Sequence, residues 1–213
     1  MTMEEQPFGH GGFRDVFKAF SCNKLYGDYV VKTFQKEKID VLKERLFTEE
    51  EHARKTVQMH ALAQYLSVKF KQVIPKDFGE SFVYTTLYFG KFNDGNGDQY
   101  VTVERFLEGE FEKFVNNDGN INHAPELDKT LLKKAETFAH YTYLESRKSL
   151  MVVDLQGVKY TLSDPEIASQ NSHDSTDKMY FCTGNWGHEA IQKFLKVHKC
   201  NSWCKQIGKR FGE

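Results

Sequence analysis

Near its C-terminus the chain reads HKCNSWC, which places His198, Cys200 and Cys204 within seven residues. Imidazole nitrogen and thiolate sulfur at this spacing are the ligands that tetrahedral zinc prefers. A closed site needs a fourth ligand from elsewhere, and supplying one folds the tail back onto an earlier element. His140 is one candidate, which would make the metal a structural tie between a central helix and the tail rather than a catalytic centre. The plainer alternative is two unrelated buried thiols and two core histidines. The remaining cysteines, Cys22 and Cys182, are too few and too unevenly placed for a disulfide framework in a chain of 213 residues.

That length suits one sizeable domain or a two-lobed one. A formal charge of -1 gives no general pull toward nucleic acid or an acidic membrane, so any phosphate binding must be local. The N-terminal MTMEEQPFGHGG lacks the pattern of a signal peptide, and no apolar run reaches membrane-spanning length, so a cytoplasmic protein is expected.

The segments FRDVFKAF and YVVKTF, separated by LYGD, predict an antiparallel hairpin after the glycine-containing start GHGG. Strong helix formers from about Glu49 to Phe70 predict a long helix with Val57, Ala61, Tyr65 and Val68 at helical spacing. FVYTTLYFGKF and QYVTVERFLEG, split by NDGNGDQ, read as a second hairpin. Farther on, PELDKTLLKKAETFAHYTY lines up Leu127, Leu131, Ala135 and Phe138 as the packed face of a second helix. MVVDLQG reads as a buried strand, residues 164–178 as a polar loop, and residues 189–199 as a short helix.

Asp154, inside MVVDLQG, is an acid among apolar neighbours, where an unpaired charge is costly. Its place before Gln156-Gly157 allows it to face a cleft, and Asp164, ten residues later in SDPE, suits a loop returning to the same place. Two carboxylates and a carboxamide are hard oxygen ligands matched to magnesium carrying a phosphorylated substrate. A strand-end cap and a common Asp-Pro turn are the plain alternatives. CTGNWGHE, with Gly184, Asn185 and Gly187 ahead of a helix, offers backbone amides to an anion or a simple helix-entry turn. Lys32 in VVKTF is either an inward phosphate ligand or an exposed strand lysine.

In order along the chain, PFGHGGFR, YVVKTF, VERFLEGEFEKF, FAHYTY, LMVVDLQGV, SDP, GNWG and HKCNSWC resemble the alpha-kinase family of atypical protein kinases. The resemblance implies an α+β, bilobal protein-kinase-like fold over residues 1–213. Its N-lobe, about 1–107, would hold an antiparallel sheet with one long helix, and its C-lobe, about 108–213, would be α+β and stabilised by a structural zinc. It implies an ATP-dependent serine/threonine kinase acting on a protein substrate, with ATP, Mg2+ and Zn2+ as cofactors. By the resemblance, Arg14, Lys32, Glu104, Leu107 and Lys113 bind ATP, Glu104 holding the adenine amino group. Asp154 is the essential aspartate, with Lys32 also catalytic; Gln156 and Asp164 hold magnesium; Gly184, Asn185 and Gly187 form the substrate loop. The zinc ligands fall on His140, His198, Cys200 and Cys204.

The signatures of ordinary eukaryotic kinases, H-R-D-x-x-x-x-N and D-F-G, are absent from the sequence. Three departures from the family pattern stand out. Cys182 replaces the first glycine of G-x-G-N-x-G, Lys159 replaces the last glycine of Q-G-V-G, and Arg54 stands where an acid is expected, which moves the expected partner of Lys32 to Glu51. They leave a pseudokinase, a nucleotide-binding or scaffolding module without turnover, as the alternative. A zinc-stapled interaction domain is a third reading.

Overall fold

The computed structural model describes residues 1–22, 27–44, 48–93 and 97–212. In chain order its strands and helices are β1 (Thr2–Met3), β2 (Gly9–His10), β3 (Arg14–Phe20), β4 (Asp28–Phe34), α1 (Ile39–Glu44), α2 (Glu49–Lys71), β5 (Val83–Tyr84), β6 (Tyr88–Asn93), β7 (Asp98–Arg105), β8 (Glu112–Val115), α3 (Lys129–Glu145), β9 (Leu150–Val153), β10 (Leu155–Val158), β11 (Thr161–Ser163), β12 (Glu166–Ser169), α4 (Gly187–Val197) and α5 (Ser202–Gly208). The class is α+β, as the resemblance implies.

The chain divides into two compact units, Met1–Ala61 with Thr85–Phe106, and Leu62–Tyr84 with Leu107–Glu213. The expected linear lobes differ from this division at residues 62–84, which belong to the second unit. The reason is aromatic packing: Phe70 meets Phe78, Phe138 and Tyr141 at ring distances of 5.2, 5.2 and 5.1 Å. Burying rings of this size outweighs sequence proximity to the first hairpins.

In the first unit an antiparallel sheet runs β1-β3-β4-β7-β6, with β2 also pairing β3. Both expected hairpins are present, β3 with β4 and β6 with β7. Parts of their turns, residues 25–26 of LYGD and 94–96 of NDGNGDQ, lie outside the described residues. The aromatic run before the second hairpin splits: β5 leaves it to pair in parallel with β11 in the second unit. Val30 pairs with Glu104 and Lys32 with Thr102 across β4 and β7, a register that sets the candidate site.

The long helix α2 forms where expected, but its buried stripe is His52, Ala53, Thr56, Met59, His60, Ala63, Leu66, Ser67 and Phe70. Tyr65 and Val68, two of the residues at helical spacing in the sequence, are 54% and 55% exposed. The stripe mixes polar and small residues with apolar ones, so side-chain hydropathy alone does not mark it. Its start is a capping box that the pattern reading missed: Glu51 accepts from Thr48 N at 3.0 Å while Thr48 Oγ1 accepts from Glu51 N at 3.1 Å.

In the second unit α3 is the central element. Asp128 caps it by accepting from Thr130 N and Leu131 N, and Leu127, Leu131, Ala135 and Phe138 are buried as its spacing predicts. A four-stranded sheet runs β5-β11-β10-β8, and β9 pairs β12 in a separate two-stranded sheet. The expected 164–178 loop therefore contains a strand, β12, whose Ile167, Ala168 and Ser169 are buried against β9.

Candidate functional site

Three groups of functional side chains form, each inside one unit. In the first unit, Lys32 Nζ lies 2.8 Å from Glu104 Oε1. Thr85 Oγ1 donates to the other oxygen, Oε2, at 2.9 Å. Arg14, at the start of β3, donates to Thr102 Oγ1 at 2.8 Å, and Thr102 is the cross-strand partner of Lys32. The lysine thus points inward, and its carboxylate partner is Glu104. Glu51, the partner expected from helical spacing, accepts from the Thr48 N–H and hydroxyl through one of its carboxylate oxygens at the start of α2.

In the second unit the apparent strand MVVDLQG is two strands broken at Asp154. β9 joins one sheet and β10 another, and Asp154 takes the left-handed backbone conformation between them, φ 54°. This accounts for an acid within an apolar run: the neighbours stay buried in two sheets while the chain turns at the acid. The hairpin β10–β11 pairs Gln156 with Ser163, which puts Asp154 and Asp164 together at its open end. Asp164 is also left-handed, φ 48°. Such conformations are costly for non-glycine residues and collect at functional sites, with Asp among the more tolerant types.

Lys113 on β8 is the cross-strand partner of Gln156, and from there its Nζ reaches Asp154 Oδ1 at 2.7 Å. Gln156 Nε2 donates to Asp154 Oδ2 at 2.9 Å and to Asp164 O at 3.4 Å. With its nitrogen so engaged, Gln156 has its amide oxygen to present to a cation, and the donor set of amide oxygen and carboxylates suits magnesium. Beside the cluster, burial first and the Asp154 charge second push the Tyr84 phenol well above its ordinary range, so it stays protonated.

The glycine loop is organised by Asn185. Its Oδ1 accepts from Ser169 N at 3.2 Å and Gly187 N at 2.8 Å, and its Nδ2 donates to Ser169 Oγ at 2.8 Å. The loop is thereby pinned to β12, and Gly187 N is occupied by Asn185 rather than offered to an anion. At Gly184 a Cβ would stand 2.4 Å from Glu166 Oε1.

The third group is His140, His198, Cys200 and Cys204, with ligand atoms all within 4.8 Å of one another. Cys200 Sγ is 3.6 Å from His140 Nδ1 and Cys204 Sγ 3.5 Å from His198 Nε2. Tetrahedral zinc with ordinary Zn–S and Zn–N bonds separates S and N by about 3.6 Å, so the donor set fits in both chemistry and span. Burial raises the Cys204 thiol pKa, but hydrogen bonds with His140, His198 and Thr137 bring it down to about 6, which favours the thiolate. The tail is fixed by Asn201, which caps α5 at Cys204 N and donates to Lys133 O and Thr137 Oγ1 on α3.

Against known proteins, the model of the alpha-kinase family matches residues 9–204. The chain belongs to the alpha-kinase family. Transient receptor potential cation channel subfamily M member 6 of Homo sapiens is 34% identical over 154 residues, 71% of this chain and 7% of the relative. Alpha-protein kinase 1 of Dictyostelium discoideum is 30% identical over 210 residues, 96% of this chain and 14% of the relative. The alpha-kinase domain of myosin heavy chain kinase A, solved as a complex with AMP, matches in fold with a TM-score of 0.75 at 23% identity, covering 97% of this chain and 89% of that one. The chain thus spans only a small part of the curated relatives it matches.

Within this alpha-kinase domain the fold shows what one departure from the family pattern costs. Lys159 sits at the two-residue turn of β10–β11 with φ 53°, a conformation that glycine takes at no cost and lysine takes under strain. Among the described residues no helix is long and apolar enough to cross a membrane. Thr85 and Glu136 bond to site residues, and Tyr84 feels the Asp154 charge, without having been singled out. Only Glu136 carried a sequence signal, four positions before His140 on the same helix.

Proposed function

We propose that this alpha-kinase domain transfers the γ-phosphoryl group of ATP to serine or threonine hydroxyls of a protein substrate. The observation that carries the reading is the Asp154 cluster: a left-handed aspartate at a strand break, held by Lys113 and Gln156, with Asp164 gathered beside it. Phosphoryl transfer asks a protein for positioning and charge neutralisation, and this cluster together with the inward Lys32 supplies the residue types required.

In this reading Lys32, Arg14 and Lys113 bind the phosphates, and Glu104 with the backbone near Leu107 takes the adenine while Glu104 also fixes Lys32. Gln156 and Asp164 hold Mg2+, which when bound neutralises phosphate charge. Asp154 orients the attacking hydroxyl. The hydroxyl oxygen forms a bond to the γ-phosphorus, the bond to the β-phosphate oxygen breaks, and ADP leaves. Because the transition state is loose, the hydroxyl proton departs late. A carboxylate paired with a lysine suits orienting the nucleophile and receiving that proton. Gly184, Asn185 and Gly187 bear the substrate loop. His140, His198, Cys200 and Cys204 hold a structural Zn2+ that ties α3 to the tail, and the setting is cytoplasmic.

The test is transfer of label from γ-labelled ATP to a basic protein, with Asp154→Ala as control and phosphoamino-acid analysis of the product. Incorporation by the wild type that vanishes in the variant supports the reading, and equal incorporation by both removes it. A thermal shift with Mg-ATP but no transfer to any peptide of a library would identify a pseudokinase instead.

A further inference from the structure

His198 turns its two ring nitrogens to different partners. Nε2 faces Cys204 Sγ at 3.5 Å, while Nδ1 lies 2.8 Å from Glu136 Oε2. The His198 side chain is 2% exposed and that of Glu136 12%, so this contact is made almost out of solvent. Glu136 stands one helical turn before His140 on α3, so one helix contributes both a ligand and the carboxylate behind another ligand.

We infer that Glu136 is an outer positioning residue of the zinc site, holding His198 as the Nδ1–H tautomer so that Nε2 is its ligand atom. A carboxylate on the far nitrogen fixes the tautomer and ring orientation and raises the basicity of the coordinating nitrogen. His140 presents the opposite nitrogen, since its Nδ1 is the atom near Cys200 Sγ. The two histidines therefore coordinate through different atoms, and a carboxylate stands behind His198. The inference rests on the zinc reading and adds to it a residue outside the ligand set.

The competing role for Glu136 is that of a bolt between α3 and the tail, independent of metal. The two are separated by measuring zinc. In the full chain, Glu136→Gln and Glu136→Ala should each weaken zinc about 10–100-fold in competition with a chromophoric chelator. Saturating zinc should return both variants to nearly the wild-type melting temperature, and Co2+ substituted into the site should show shifted d–d bands. An affinity within about twofold of wild type, or a melting deficit that stays the same at every zinc concentration, overturns the inference. Wild-type protein that retains no zinc overturns the zinc reading and this inference together, and that measurement comes first.

Discussion

Lys32 Nζ and Glu104 Oε1 are 2.8 Å apart, on side chains 9% and 4% exposed. The pair is buried, so each charge offsets the desolvation of the other, and the Thr85 hydroxyl adds a hydrogen bond to the Glu104 carboxylate. Removing either partner breaks a buried ion contact in the first unit.

Lys32→Met or Glu104→Gln should each destabilise by about 3 kcal/mol or more, the range for breaking a buried pair from one side. The double variant should lose less than the sum of the two. A urea-unfolding double-mutant cycle measures this, and additivity within about 0.5 kcal/mol would show that the pair is not coupled.

His52 gives a pH dependence with a definite sign. It is buried against the Phe13 and Phe34 rings, and burial first, then the Arg14 charge, lowers its pKa from 6.5 to about 3. Between these values the unfolded chain takes up a proton that the folded chain refuses, so this contribution to stability is complete above 6.5 and is lost as pH falls toward 3. His52→Phe should therefore lose less stability than wild type between pH 7 and pH 5, as read from urea midpoints at several pH values. Parallel curves would contradict the assignment.

At the β10–β11 hairpin, two substitutions should act in opposite directions. Gly157 has φ 157°, and a Cβ there would stand 2.1 Å from Thr161 O, so Gly157→Ala should cost about 3 kcal/mol or more. Lys159→Gly relieves a left-handed lysine and should stabilise by roughly 0.5–1 kcal/mol, the conformational gain being partly offset by the flexibility of unfolded glycine. Thermal midpoints of the two variants check both, and a loss in Lys159→Gly would mean its side chain makes a stabilising contact.

Chelation should act on structure and not only on activity. The four candidate ligands join α3 to the C-terminal tail, so removing a bound metal or making Cys200→Ser should unfold much of the second unit. Far-UV circular dichroism and metal analysis test it. Fewer than about one zinc per chain, or unchanged stability in Cys200→Ser, would refute the closed site.

Much of the site was legible because its chemistry is written in residue types. An acid inside MVVDLQG and three ligand types within HKCNSWC are conspicuous at any level of structure. The partner of Lys32 was not, because Glu104 reaches it through the β4–β7 register, which pairs strands about seventy residues apart. Glu51 looked eligible by helical spacing, and one of its oxygens also serves a local capping box. The buried face of α2 was misread for a related reason: His52, Thr56, His60 and Ser67 are buried by what packs on them rather than by their own hydropathy.

The sequence by itself determined the main helices and hairpins and the residue types available for phosphate, magnesium and zinc. These follow from turn chemistry, helical periodicity and ligand preference, which act over a few residues. Only the tertiary structure decided that MVVDLQG breaks into two sheets at Asp154, that residues 62–84 join the second unit, and that Glu104 meets Lys32. Each of those outcomes depends on contacts between segments distant in the chain, where register and ring packing outweigh local preference.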